Sequence, residues 1–157
     1  MSNTVKLIIA IIVPQAVGII SGLLTASGTR EWYSTLTKPA FNPPAWVFGP
    51  VWTVLYWMMG VAAFLVWKKG LEEPGVKMAM LLFLVQLGLN AVWPLLFFGI
   101  HAPGIAFAEI LILWAAIGAT LIAFGAQNIV AGALLVPYLA WVSFAAVLNF
   151  WLWRLNS

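Results

Sequence analysis

The chain is predicted to be an all-α, polytopic membrane protein: a bundle of five transmembrane helices. Of its 157 residues 64% are hydrophobic and only 7% are charged, and the mean hydropathy is +1.06. The apolar residues gather into five runs, each long enough to cross the roughly 30 Å of bilayer hydrocarbon, which takes about 20 helical residues. None of the runs alternates as the strands of a membrane barrel do. A single chain in lipid must satisfy its backbone hydrogen bonds within each span, so each run reads as a helix.

The spans, in order, are Leu7–Ala26, Ala45–Trp67, Met78–Ile100, Gly104–Gly125 and Ile129–Trp153. The first is too long for the apolar core of a signal peptide and no small-residue cleavage pattern follows it, so it reads as a retained span. "KKGLEEPGVK" (Lys68–Lys77) joins spans two and three as a charged turn broken at Pro74-Gly75. "HAP" (His101–Pro103) and "AQN" (Ala126–Asn128) are hairpin-tight, which makes neighbouring helices antiparallel. With no internal repeat, residues 1–157 form one domain. Only the first connection, residues 27–44, has length to spare. It carries "EWYSTLTKPAFNPPAW" (Glu31–Trp46), and loops beyond about 12–15 residues are uncommon unless they do something. Its prolines restrict the backbone and its rings supply apolar area, so it is read as a lid.

Charge and reactive residues narrow the chemistry. There is no cysteine, one histidine and four acids, which leaves no thiol chemistry and no metal-binding cluster. The formal net charge of +3 would suggest nucleic acid in a soluble chain. Here Lys6, Lys68, Lys69 and Lys77 flank spans on one face and Arg30, Lys38 and Arg154 on the other, so they meet lipid headgroups and no nucleic acid partner is expected. Four against three is too even to orient the bundle. Small residues at four-residue spacing, Gly18 with Gly22 and Ala115, Ala119 and Ala123, permit close helix contact. Pro14, Pro50, Pro94 and Pro137 fall inside spans, where they either shape packing or open a cavity.

Trp32, Trp46, Trp67, Trp151 and Trp153 lie near span ends, as interfacial belts do, whereas Trp52, Trp57, Trp93, Trp114 and Trp141 fall within spans. Taking 1.5 Å of rise per residue from the face that carries the long loop, Trp52 and Trp93 lie about 10 Å deep, Ala145 about 12 Å, Asn90 about 15 Å, Tyr56 about 16 Å and Trp141 about 18 Å. All six sit in the half-membrane beneath that loop. Trp52 and Tyr56 share a helix face, as do Trp141 and Ala145, and Gln86, Asn90, Trp93 and Phe97 form a stripe. Gln86 and Asn90 must face the interior, either as interhelical glue or as polar groups in an aromatic-walled cavity. Glu109, the one acid inside a span, is either placed near the interface by the start of its helix or coupled to proton movement. His101 is expected to be solvated.

Three stretches, "WYSTLTKPAFNPPAWVFGPVWTVLY" (Trp32–Tyr56), "QLGLNAVWPLLFFG" (Gln86–Gly99) and "VPYLAWVSFAAVLNFWLWR" (Val136–Arg154), resemble the translocator protein family, whose members include tryptophan-rich sensory proteins and peripheral-type benzodiazepine receptors. The resemblance covers nearly the whole chain. It implies a multi-pass protein of a bacterial or organellar membrane, usually a homodimer, that binds porphyrins such as protoporphyrin IX and, in many members, cholesterol and benzodiazepine-type ligands, with no resident cofactor. Carried over by position, the implied binding residues are Tyr33 and Pro43 of the lid, Trp46, Trp52 and Tyr56, Asn90 and Trp93, and Trp141 and Ala145.

Some members are linked to light-dependent porphyrin breakdown through paired tryptophans, here Trp52 and Trp141, so a porphyrin photo-oxidase is one alternative to a receptor, sensor or carrier. A proton-coupled transporter using Glu109 is another. No acid-base pair or nucleophile supports conventional catalysis. The family's weak sterol-recognition pattern is degenerate, with Leu148 and Arg154 in place but Phe150 at the tyrosine position, which puts sterol binding in doubt.

Overall fold

The computed structural model describes residues 1–157 and contains helices and turns only. The helices are α1 (Asn3–Leu24), α2 (Phe48–Trp67), α3 (Val76–Pro94), α4 (Pro103–Gln127), α5 (Ile129–Leu134) and α6 (Val136–Leu155). Each long helix is strongly apolar on both its buried and its outward sides apart from a few polar residues, as protein on one side and lipid on the other demand. With α5 and α6 taken together as one span from Ile129 to Leu155, five segments are long and apolar enough to cross a membrane.

Local chemistry sets the helix ends. The Val5 N–H donates to Ser2 Oγ at the start of α1, and the Val130 and Ala131 N–H groups donate to Asn128 Oδ1 at the start of α5. The fifth span is two helices rather than one. Pro137 has no N–H for the carbonyl one turn earlier, so the chain breaks at Leu135 and Pro137 sits harmlessly in the first turn of α6. Pro50 likewise occupies the first turn of α2. Of the four prolines expected inside spans, only Pro14 and Pro94 lie within a helix beyond its first turns, and after Pro94 the chain widens into a π-turn over Leu95–Gly99.

The first connection is also more ordered than an open loop. A π-turn over Gly28–Trp32 and a 3₁₀ turn over Tyr33–Thr35 prolong the direction of α1, leaving Leu36–Pro44 as the irregular part. Gly28 lies so close to the Phe98 carbonyl that any Cβ there would overlap it, which seats this turn on the π-turn that follows α3.

The bundle is solid in one half and hollow in the other. On the side of the N-terminus, Met59, Ala62, Val66, Val76, Ala79, Ile117 and Phe124 are fully buried, and the rings of Phe83 and Phe124 stack at 5.6 Å. The turns on this face are tied together: Lys69 Nζ donates to the carbonyl and side chain of Gln127 (2.9 and 3.0 Å), and Gln127 Nε2 donates to the Pro74 carbonyl (3.0 Å). Helices α1 and α2 touch backbone to backbone here, since a Cβ on Gly60 would come within 2.7 Å of the Ala10 carbonyl oxygen and 2.8 Å of Ile11 Cα. Higher up, Gly18 lies against the Tyr56 ring, and beyond it nothing lies within 4 Å of a Cβ built at Gly22 or Gly49. The two helices therefore diverge toward the loop.

This close contact makes a test of the packing. Gly60→Val should prise α1 from α2 and destabilise the bundle by about 1–3 kcal/mol, the usual cost of overpacking. Gly22→Val should cost much less. Thermal unfolding of both variants in the same detergent measures the difference, and equal midpoints would contradict the described packing.

Candidate ligand-binding site

The hollow half encloses a cavity of about 600 Å³, within the range typical of small-molecule sites. Its walls come from α1, α2, α3, α4 and α6, and the helical part of the first connection covers it. Seven of the nine residues singled out in the sequence line it: Tyr33, Trp52, Tyr56, Asn90, Trp93, Trp141 and Ala145. Two do not. Trp46 is 74% exposed, because in its 3₁₀ turn the neighbouring Ala45 faces the cavity and Trp46 points away. Pro43 is partly buried outside the lining, where its carbonyl accepts a hydrogen bond from Asn42 Nδ2 (3.2 Å).

The floor is a chain of hydrogen bonds across three helices. Tyr56 Oη donates to Asn90 Oδ1 (2.7 Å), Asn90 Nδ2 donates to Tyr138 Oη (2.8 Å), and Tyr138 Oη donates to Gln86 Oε1 (2.7 Å). A second pair lies nearer the loop. Trp93 Nε1 donates to Asn149 Oδ1 (2.9 Å), and Asn149 Nδ2 donates to the Pro103 carbonyl (2.9 Å), joining α3, α6 and the start of α4. The walls are aromatic: Trp52 packs on Tyr56 at 5.5 Å, Trp93 stacks on Phe97 at 5.1 Å, and Trp141 lies between Phe48 (5.9 Å) and Phe144 (5.5 Å). The Trp141 Nε1 hydrogen has no acceptor within the chain.

The cover is latched at several points. The Thr37 N–H donates to Asn156 Oδ1 and Asn156 Nδ2 donates back to the Thr37 carbonyl, both at 2.8 Å, so the end of α6 holds the irregular segment. Tyr33 Oη donates to Asn42 Oδ1 (3.0 Å), and burial pushes the Tyr33 phenol above its ordinary pKa. It thus stays neutral, and this bond persists, as pH rises past the usual tyrosine value; the stability contribution is full below that usual value and is lost progressively from there through the raised one. Lys38 Nζ donates to the Tyr33 and Leu36 carbonyls (2.9 and 3.1 Å) and lies 4.7 Å from the Tyr33 ring. His101, exposed as expected, adopts a left-handed backbone (φ 55°) and stacks on Trp32 at 4.5 Å; Trp32 in turn meets the edge of Phe97.

The cavity opens sideways as well. Ile19 and Gly22 of α1, and Ala45, Gly49 and Thr53 before and along α2, line it while remaining exposed, so the divergence of these helices leaves a slot. Its lower end is closed by Gln15 Nε2 donating to the Thr53 carbonyl (3.0 Å).

Other expectations need adjustment. Glu109 is only 8% exposed, within α4 and away from the cavity lining, and neither carboxyl oxygen has a hydrogen-bond partner within the chain. Leu148 turns into the cavity, whereas Phe150 packs on Phe107 (5.5 Å) and Arg154 lies 5.9 Å from the Trp153 ring, so the three positions of the degenerate sterol pattern share no face. Asn149 and Tyr138 were missed. The rule that brought out Asn90, that a polar group inside a span must face protein, applies to both equally.

A five-span helical bundle with an aromatic cavity, open at its side and covered by a latched connection, is in its architecture a multi-pass integral membrane protein with an internal cavity. The chain belongs to the TspO/MBR family, whose model matches residues 10–154. It is 43% identical over 141 residues to the tryptophan-rich protein TspO of Chlorobaculum tepidum, covering 90% of this chain and 89% of that one. It is 43% identical over 128 residues to the human translocator protein (80% and 75%) and 42% identical over 126 residues to the tryptophan-rich sensory protein of Cereibacter sphaeroides (80% and 78%).

Tyr138 is the hinge of the floor network. Tyr138→Phe strands Asn90 Nδ2 and Gln86 Oε1 and should cost about 1–3 kcal/mol, whereas Tyr56→Phe strands only Asn90 Oδ1 and should cost less. Chemical or thermal unfolding in detergent gives the ranking, and the reverse order would refute this account of the floor.

Proposed function

We propose that the protein is a membrane receptor or carrier that binds tetrapyrroles of the protoporphyrin IX type in this cavity. The observation that carries the reading is the arrangement of Trp52, Trp93 and Trp141 on three different helices around one covered space of about 600 Å³. A flat conjugated ring suits such walls, because offset or edge contacts between aromatic systems add to plain burial. Tyr56 and Asn90 are already bonded into the floor, which leaves the Trp141 N–H within the walls and Arg30 at the rim as free polar groups, so orientation rests on stacking with few polar contacts. Membership of a family that includes proteins named as translocator and sensory proteins fits a ligand-handling role.

Protoporphyrin IX added to the purified protein in nanodiscs should quench tryptophan fluorescence saturably. Trp52→Ala and Trp141→Ala should each weaken binding by about 2- to 10-fold, the worth of one aromatic contact. Saturable binding of equal affinity in both variants would place the ligand elsewhere.

A further inference from the structure

Among the residues lining the cavity, Arg30 alone carries a formal charge. It lies in the Gly28–Trp32 turn at the covered mouth, exposed, while the floor beneath it is uncharged. No acid of the chain is placed to neutralise it. Glu31 lines a separate small pocket with Ser27, Trp32 and His101; Glu72 and Glu73 belong to the turn between α2 and α3 on the opposite face; and Glu109 is buried in α4 with both oxygens unpartnered. The neighbouring cation, Lys38, is turned onto the Tyr33 and Leu36 carbonyls. Arg30 is therefore the one uncommitted cation of the cover, held at the rim of an otherwise apolar space.

We infer that Arg30 is a specificity determinant which selects ligands bearing a carboxylate at one edge of a flat apolar body. This rests on the ligand cavity proposed above and adds the chemical class it prefers. A guanidinium presents two parallel N–H donors that match a carboxylate, and such a pair gains strength where water is scarce. A ligand whose apolar body lies among the indoles keeps its acid at the mouth, beside Arg30, so it needs no buried charge. A neutral ester or a sterol alcohol of similar shape gains the stacking but not this pair.

The test uses two matched pairs of probes: protoporphyrin IX with its dimethyl ester, and 1-pyrenebutyrate with its methyl ester. All are titrated in nanodiscs of zwitterionic lipid against the wild type, Arg30→Gln and Arg30→Lys. The wild type should prefer each acid over its ester by about 10-fold, less at high salt. Arg30→Gln should bring the ratio within about 2-fold, the loss falling mainly on the acids, and Arg30→Lys should keep part of it. An acid-to-ester ratio that is the same in the wild type and Arg30→Gln overturns the inference and leaves Arg30 to lipid phosphate. If only the pyrene pair binds and its ratio depends on Arg30, the inference stands and the tetrapyrrole reading falls. If no probe binds, both fall.

Discussion

A hydroxyl or amide inside hydrocarbon has only the protein to bond to, and the run from Tyr56 through Asn90 and Tyr138 to Gln86 Oε1 meets that demand for every group in it except the Gln86 Nε2 hydrogens. The run pins α2, α3 and α6 at one depth. Below it, small and aliphatic side chains and the stacked Phe83 and Phe124 rings fill the space; above it, aromatic rings stand apart and enclose a void. Lipid offers no hydrophobic drive for helices to close on one another, so a void between them is held open by whatever fixes their spacing. The polar floor and the backbone contact at Gly60 do so from below, and the pair Trp93–Asn149 does so from the side.

The cover obeys a different rule. Near the loop, water can satisfy backbone groups, so irregular chain is tolerated and its order has to come from specific ties. Gly28 against the Phe98 carbonyl, the reciprocal Thr37–Asn156 bonds and the Trp32–His101 stack attach it to the π-turn after α3, to the end of α6 and to the turn before α4. The segment between the first two spans is thus a built part of the cavity, helical over its first half, and its irregular half is short.

Much of this was legible in the residues. Apolar run length marks the spans because hydrocarbon thickness dictates it, and counting rise per residue brings Trp52, Tyr56, Asn90, Trp93, Trp141 and Ala145 into the same half of the membrane. What escaped was direction and local geometry. Trp46 and Ala45 are adjacent, and only the 3₁₀ turn decides that the small residue faces inward. Arg30 reads as a headgroup contact from its place after a span, and its position on the rim depends on the helical continuation that composition does not reveal. The break at Leu135 needed the recognition that Pro137 withdraws a hydrogen bond one turn before itself.

The divergence of α1 and α2 beyond Gly18 has a thermodynamic corollary. Ile19, Gly22, Gly49 and Thr53 line the cavity while exposed between α1 and α2, and in a bilayer such a slot faces acyl chains, so a guest that enters through it leaves hydrocarbon for the cavity. Exchanging one hydrocarbon for another releases almost no hydration free energy. Burial alone then cannot discriminate between guests. Ring geometry against the indoles and the few polar contacts must supply the selectivity, and the heat-capacity change on binding should be small compared with that of a water-filled pocket of equal size.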